Sequence, residues 1–164
     1  MIKTIIADLN NSEHADHFMQ VLEDYAKDPM GGGEKLSAYV KEHLISKLLE
    51  RQNNFVVLCY NNNEIAGIAN CFYGFSSFKA KQLINIHDFA ILPAHRGKGL
   101  SKHLLDKVEE IARASDCCKI TLEVLENNIK AKRVYQSFGF EGYELNPEMG
   151  KAVFWQKELP LANV

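Results

Sequence analysis

The chain has 164 residues, 46% of them hydrophobic and 24% charged, a balance that suits one folded domain over residues 1–164 and excludes a disordered chain. A formal net charge of −2 offers no basic field to nucleic acid or to an anionic membrane. No apolar run approaches the roughly 20 residues of a membrane span, and Met1 to Asp8 is too soon interrupted by charge for a signal peptide, so a cytoplasmic protein is expected.

Ile2–Ala7 is read as a first strand. Ser12, taken as an N-cap, opens an amphipathic helix with apolar residues at Ala15, Phe18, Met19, Leu22, Tyr25 and Ala26. Asp28-Pro29 stops it, and Met30-Gly31-Gly32-Gly33 is a flexible connection. A second helix carries Leu36, Tyr39, Val40, Leu44 and Leu48 on one face. Phe55–Tyr60 and Glu64–Tyr73 are the arms of a hairpin turned at Asn61-Asn62-Asn63, and Leu83–Leu92 is a further strand ending at Pro93. Gly97 begins a long helix that buries Leu100, Leu104, Val108 and Ile111. In the strand Lys119–Leu125, Ile120, Leu122 and Val124 face one way and Thr121, Glu123 and Leu125 the other. Asn128–Phe138 is a short helix closed by Gly139, and two last strands span about Glu141–Leu145 and Ala152–Leu159.

The order β-α-α-β-β-β-α-β-α-β-β describes an α/β fold. The crossover from 83 to 125 makes two strands parallel and the asparagine hairpin makes others antiparallel, so the sheet is mixed. Cys59, Cys71, Cys117 and Cys118 contain no CxxC pattern and are read as reduced thiols. His14, His17, His43, His95 and His103 lack metal-ligand spacing, so no metal is expected.

The chemistry concentrates in Ile86-His87-Asp88-Phe89-Ala90-Ile91-Leu92-Pro93-Ala94-His95-Arg96-Gly97-Lys98-Gly99-Leu100-Ser101. A strand runs into a glycine-bearing turn that opens directly into a helix. Unpaired backbone N–H groups and the positive helix end then converge on one point, which is an anion site. Gly97 and Gly99 allow close approach of a phosphate, while Arg96 and Lys98 add charge. A Walker A loop fails because Gly99 follows Gly97-Lys98 and Leu92 stands where its first glycine belongs; a dinucleotide fingerprint fails at Lys102.

The same stretch resembles motif A of the GNAT superfamily of acetyl-CoA-dependent N-acetyltransferases, Arg/Gln-x-x-Gly-x-Gly/Ala, with Arg96, Gly99 and Ser101 at the defined positions and Ser101 departing from the usual Gly or Ala. Asn128-Ile129-Lys130-Ala131-Lys132-Arg133-Val134-Tyr135-Gln136-Ser137-Phe138-Gly139-Phe140 is similar to the family's second signature, N-x-x-A-x-x-x-Y-x-x-x-G-F. The resemblance implies the acyl-CoA N-acyltransferase fold, acetyl-CoA as cosubstrate, and transfer of acetyl to a primary amine of a small molecule or, less directly, of a peptide. It implies that Phe89, Ala90 and Ile91 offer backbone groups to the pantetheine arm and that Arg96, Gly97, Lys98, Gly99, Leu100, Ser101 and Lys102 hold the pyrophosphate. Asn128 contacts the pantetheine or caps its helix, two accounts that stand level. Tyr135 matches the family's general acid, although it also suits the apolar face of Ala131, Val134 and Phe138.

The amine also needs a proton acceptor. His87 is the first candidate, because counting back by twos from Ile91 through Phe89 puts it on one side of the strand and an imidazole can accept a proton near neutral pH. Glu123 is its rival, water the third choice, and Asp88 is read as structural or substrate-facing on the other side. A non-catalytic acyl-CoA sensor on the same fold is the alternative reading; it would keep the loop and lose Tyr135. The acceptor pocket falls to Asp28–Glu34 and Tyr143–Trp155, whose aromatic and acidic residues suit a small cationic amine. Family members are often dimers, so a homodimer is carried as an expectation.

Overall fold

The structure, a computed structural model, describes residues 1–159. Five strands lie side by side in chain order: β1 (Ile2–Ile6), β2 (Asn54–Asn61), β3 (Glu64–Ser76), β4 (Lys81–Ile91) and β5 (Ile120–Leu122). The first four are antiparallel, and β5 runs parallel to β4 after the crossover, so the expected mixed sheet forms. The helices are α1 (Ser12–Lys27), α2 (Ala38–Leu49), α3 (Leu100–Ala114) and α4 (Ile129–Ser137).

The near-continuous apolar run of β2 explains the layering, because a strand covered on both faces has no polar side to show. Val56 and Leu58 pack with Phe18, Val21 and Leu48, which places α1 and α2 on one face. Val57 and Cys59 pack with Leu100, Leu104, Leu105 and Val108, which places α3 on the other. Each fully buried leucine or valine contributes about 1.5–3 kcal/mol, so this sandwich is a rigid floor for the loop between β4 and α3.

Several boundaries differ from expectation, each for a local reason. Asn11, not Ser12, caps α1: its Oδ1 accepts from the N–H of Glu13 at 2.9 Å and of His14 at 3.4 Å. Ser37 Oγ caps α2 through the Val40 N–H at 3.2 Å, which leaves Leu36 outside the helix. Helix α3 begins at Leu100 rather than at Gly97, since Gly97 and Gly99 are left-handed, with φ of +75° and +76°. β5 stops at Leu122, so Glu123, Val124 and Leu125 are not strand residues.

The two last expected strands do not form. Pro147–Met149 is a short 3-10 turn capped by Asn146, and one backbone bond, Ala152 N–H to Tyr143 C=O at 3.0 Å, joins the flanking segments. Apolar alternation specifies which side chains could face a core but supplies no strand to pair with, and three residues of β5 offer a short edge. Val153, Phe154 and Trp155 stay exposed.

Candidate active site

β3 and β4 are paired along their length, with one interruption. Cys71 stands opposite Ile86 and Asn70 opposite Asp88, so His87 is an extra residue, a β-bulge. A bulge bends its strand, and the β4–β5 ladder ends where the bulge begins: Ile86↔Leu122 is its last pair. From His87 to Ile91 the side of β4 turned away from β3 has no strand beside it among the described residues. The Leu92 N–H points to β3, donating to Ala66 C=O at 2.8 Å, so by period two the backbone groups of Ile91 and Phe89 face that free side. Ala90 points its carbonyl toward β3 beside Gly67 and fills the α1 side of the sheet with its side chain. The Ile91 carbonyl is taken by Arg96 Nε at 3.0 Å.

The bulge corrects the expectation for His87. Phe89 and Ile91 pack in the α3-side core, whereas the His87 ring meets the ring of Phe72, centroids 5.6 Å apart, on the α1 and α2 side. Counting by twos failed because the extra residue shifts the alternation by one. Asp88 lies on that same side, its Oδ2 accepting from Asn70 Nδ2 at 2.8 Å. Asn70 is the buried polar residue among those described, and its Oδ1 has no partner. Glu123 is exposed beyond the end of β5.

Between β4 and α3 the chain makes a 3-10 turn, Pro93–His95, and then the two left-handed glycines. Among the described residues, the backbone N–H groups of Gly97, Lys98, Gly99, Leu100 and Ser101 find no protein acceptor, while that of Lys102 bonds to Gly99 C=O at 3.1 Å. A Cβ built on Gly97 or Gly99 meets nothing within 4 Å, so the glycines front open space. The loop's cationic side chains are already engaged: Arg96 with Asp28 at 3.0 Å, Lys98 with the Ala94 carbonyl at 3.0 Å, and Lys102 with Asp106 at 2.8 Å. An anion placed here is therefore met by backbone donors and the α3 dipole, with the side chains in a supporting part. These features fit a pyrophosphate.

Tyr135 comes to the free edge of β4 from α4. Its ring contacts Phe89 at 5.8 Å and Phe140 at 5.9 Å between centroids, both edge to face. Burial pushes the phenol up to about 12, with the nearby Tyr25 phenol adding to it, so the hydroxyl keeps its proton at any working pH. Asn128 Oδ1 accepts from the Ala131 N–H at 3.2 Å, so this residue does cap α4, and its Nδ2 is free of protein partners among the described residues. Tyr25 and Asn70 lie beside these groups and no motif marks them, while Asp28, expected at the start of the acceptor loop, reaches the cofactor loop through Arg96. Burial raises the Tyr25 phenol, and the carboxylates of Asp88 and Asp28 raise it further.

A groove of about 310 Å³ lined by Ala112, Cys117, Ile120, Phe138 and Phe140 lies at the far end of α3 and holds none of these groups. Among the described residues no cluster of His, Cys, Asp or Glu is arranged to hold a metal ion, and no helix is long and apolar enough to cross a membrane.

Comparison with known proteins gives consistent results. The profile of the Acetyltransferase (GNAT) family matches residues 18–140. The uncharacterized N-acetyltransferase YhfO of Bacillus subtilis (strain 168) is 26% identical over 100 residues, 61% of this chain and 67% of that protein. The spermine/spermidine N(1)-acetyltransferase of the same organism is 43% identical over 54 residues, 32% of this chain and 36% of that one. The matched stretches thus span from about a third to two thirds of these curated relatives. A crystal structure of a probable acetyltransferase superposes with a TM-score of 0.76 at 21% identity, covering 98% of this chain and 99% of the other, a likeness of fold.

Proposed function

This chain belongs to the Acetyltransferase (GNAT) family, and from that premise we propose that it binds acetyl-CoA on the Gly97–Ser101 loop and acetylates a primary amine of a small cationic molecule. One observation carries the reading: five consecutive backbone N–H groups without an acceptor among the described residues, set over two left-handed glycines at the head of α3. When bound, acetyl-CoA supplies an activated thioester acyl group. The Phe89 N–H and C=O and the Ile91 N–H offer the amides of its arm the partner that β5 does not provide. Tyr135 reaches the free edge of β4 as a hydroxyl that stays protonated, since burial pushes its phenol up to about 12, and it can donate a hydrogen bond to the departing sulfur.

The acceptor side is read as the α1 face of the bulge. Asp88, held by Asn70, gives that face a carboxylate for an ammonium group, with Tyr25 nearby. The relative that acts on spermine and spermidine supports an amine of this kind. The thiol-release assay is the test, with acetyl-CoA offered to polyamines, amino acids, aminoglycosides and peptides. Turnover is expected with one of the small cationic amines; no turnover with any amine that carries a free primary group would remove the proposal.

For the proton acceptor, His87 at the bulge is placed ahead of Glu123 beyond β5 and of water. His87→Gln should lower kcat for the accepted amine by about 10²–10⁴-fold and leave the affinity for CoA nearly unchanged, since a carboxamide cannot take the amine proton. Glu123→Gln on the same amine should leave kcat near the wild-type value. If the two variants behave the other way round, Glu123 is the base; if neither lowers kcat, water takes the proton.

A further inference from the structure

The connection between α1 and α2 and the loop before α3 are far apart in the chain, yet one ion pair joins them. Arg96 Nη2 donates to Asp28 Oδ2 at 3.0 Å, and Arg96 Nε is anchored on the Ile91 carbonyl at 3.0 Å, so the guanidinium is fixed from two sides. Asp28 is equally committed. Its Oδ1 accepts from the Met30 N–H at 2.9 Å, its carbonyl from Gly31 at 2.7 Å and Gly33 at 3.1 Å, and its own N–H donates to Tyr25 C=O at 3.0 Å. The Met30 N–H and Arg96 together hold the Asp28 carboxyl below its usual range.

We propose that Asp28 is a positioning residue that straps the α1–α2 loop to the acyl-CoA loop through Arg96, so that loading the cofactor loop orders the acceptor side. The proposal rests on the acyl-CoA reading above. A run of three glycines has more conformations to lose than any other sequence, and something must hold it in one. Asp28 does so at the root of the run, and the loop then presses on Tyr25: a Cβ on Gly31 would fall 2.0 Å from the Tyr25 carbonyl oxygen and 3.0 Å from its ring. Tyr25 in turn lies within electrostatic reach of Asp88 and of Tyr135, so the path runs from the phosphate loop to the groups beside the reacting atoms.

With side chains 50% and 24% exposed, such a pair adds little to global stability. Its consequence is positional. An anion on the free N–H groups restrains the backbone that carries Arg96, and a restrained Arg96 holds Asp28. A ligand shifts only those equilibria in which it favours one state, and here the order of the two loops is one equilibrium.

The test is amide hydrogen exchange on the full chain, wild type and Asp28→Asn, with and without CoA. In the wild type, saturating CoA should slow exchange in residues 28–34 by about 5-fold or more, the lower range of site-to-site coupling. Asp28→Asn should abolish that slowing while amides 97–101 are still protected and CoA still binds. A merely structural role would speed exchange in 28–34 equally with and without CoA and leave the CoA-dependent ratio unchanged. Retention of the slowing in Asp28→Asn, or its absence in the wild type that binds CoA, overturns the strap and leaves the acyl-CoA reading standing. If CoA fails to protect 97–101, the acyl-CoA reading falls, and the strap falls with it unless Arg96→Gln speeds exchange in 28–34 and Asp28→Asn speeds it in 92–96.

Discussion

Replacing Tyr135 by Phe is expected to lower kcat by about 10²–10⁴-fold and to leave the affinity for CoA within a small factor. The substitution removes one oxygen and keeps the ring that fills the space between Phe89 and Phe140. Packing is thereby conserved, and an isosteric change of this kind keeps the fold. Because the phenol is pushed up to about 12, the wild type should show no alkaline loss of rate from Tyr135 below that range. Rapid mixing of acetyl-CoA with the accepted amine separates the chemical step from binding. Full activity in Tyr135→Phe at neutral pH would reduce Tyr135 to a packing residue.

Gly99→Val is expected to abolish CoA binding while the far-UV spectrum stays native. At φ +76° a β-branched residue is strained by roughly 1–3 kcal/mol, which lowers the melting temperature without unfolding the chain. A Cβ at this position meets no protein group within 4 Å, so the side chain would project into the open space proposed for the phosphate. Losing two or more charge-assisted hydrogen bonds at about 1.5–3 kcal/mol each weakens binding by at least about 100-fold. Gly99→Asn separates obstruction from strain, because asparagine tolerates the left-handed region but still occupies the approach. It should lose CoA as well; an Asn variant that binds normally would show that backbone strain, not blocking, explains the valine result.

Much of this could be read from residues close together in the chain. The β4–α3 turn is a local event, so Gly97 and Gly99 announce it, and the apolar run of β2 announces burial on both faces. The face of His87 could not be read that way. Its position depends on which residue of β3 stands opposite, and a bulge leaves no mark in the strand that carries it. Asp28 and Arg96 meet across 68 residues, a pairing that neither neighbourhood indicates. At α1 two good caps stand side by side, Asn11 and Ser12, and only the direction of the entering chain decides between them. The segment after Phe140 shows the opposite failure: its apolar alternation is plain, but a strand also requires an edge, and Pro147 and Gly150 turn the chain before one is met.

The central claim is that the Gly97–Ser101 loop is an acyl-CoA site, and CoA binding to the wild-type protein without metal tests it most directly. A ligand that binds the folded state alone stabilises it by about 2.7 kcal/mol at one hundred times its Kd. The melting temperature should therefore climb steadily as CoA is raised from micromolar to millimolar. A melting temperature that does not move at millimolar CoA would contradict the account.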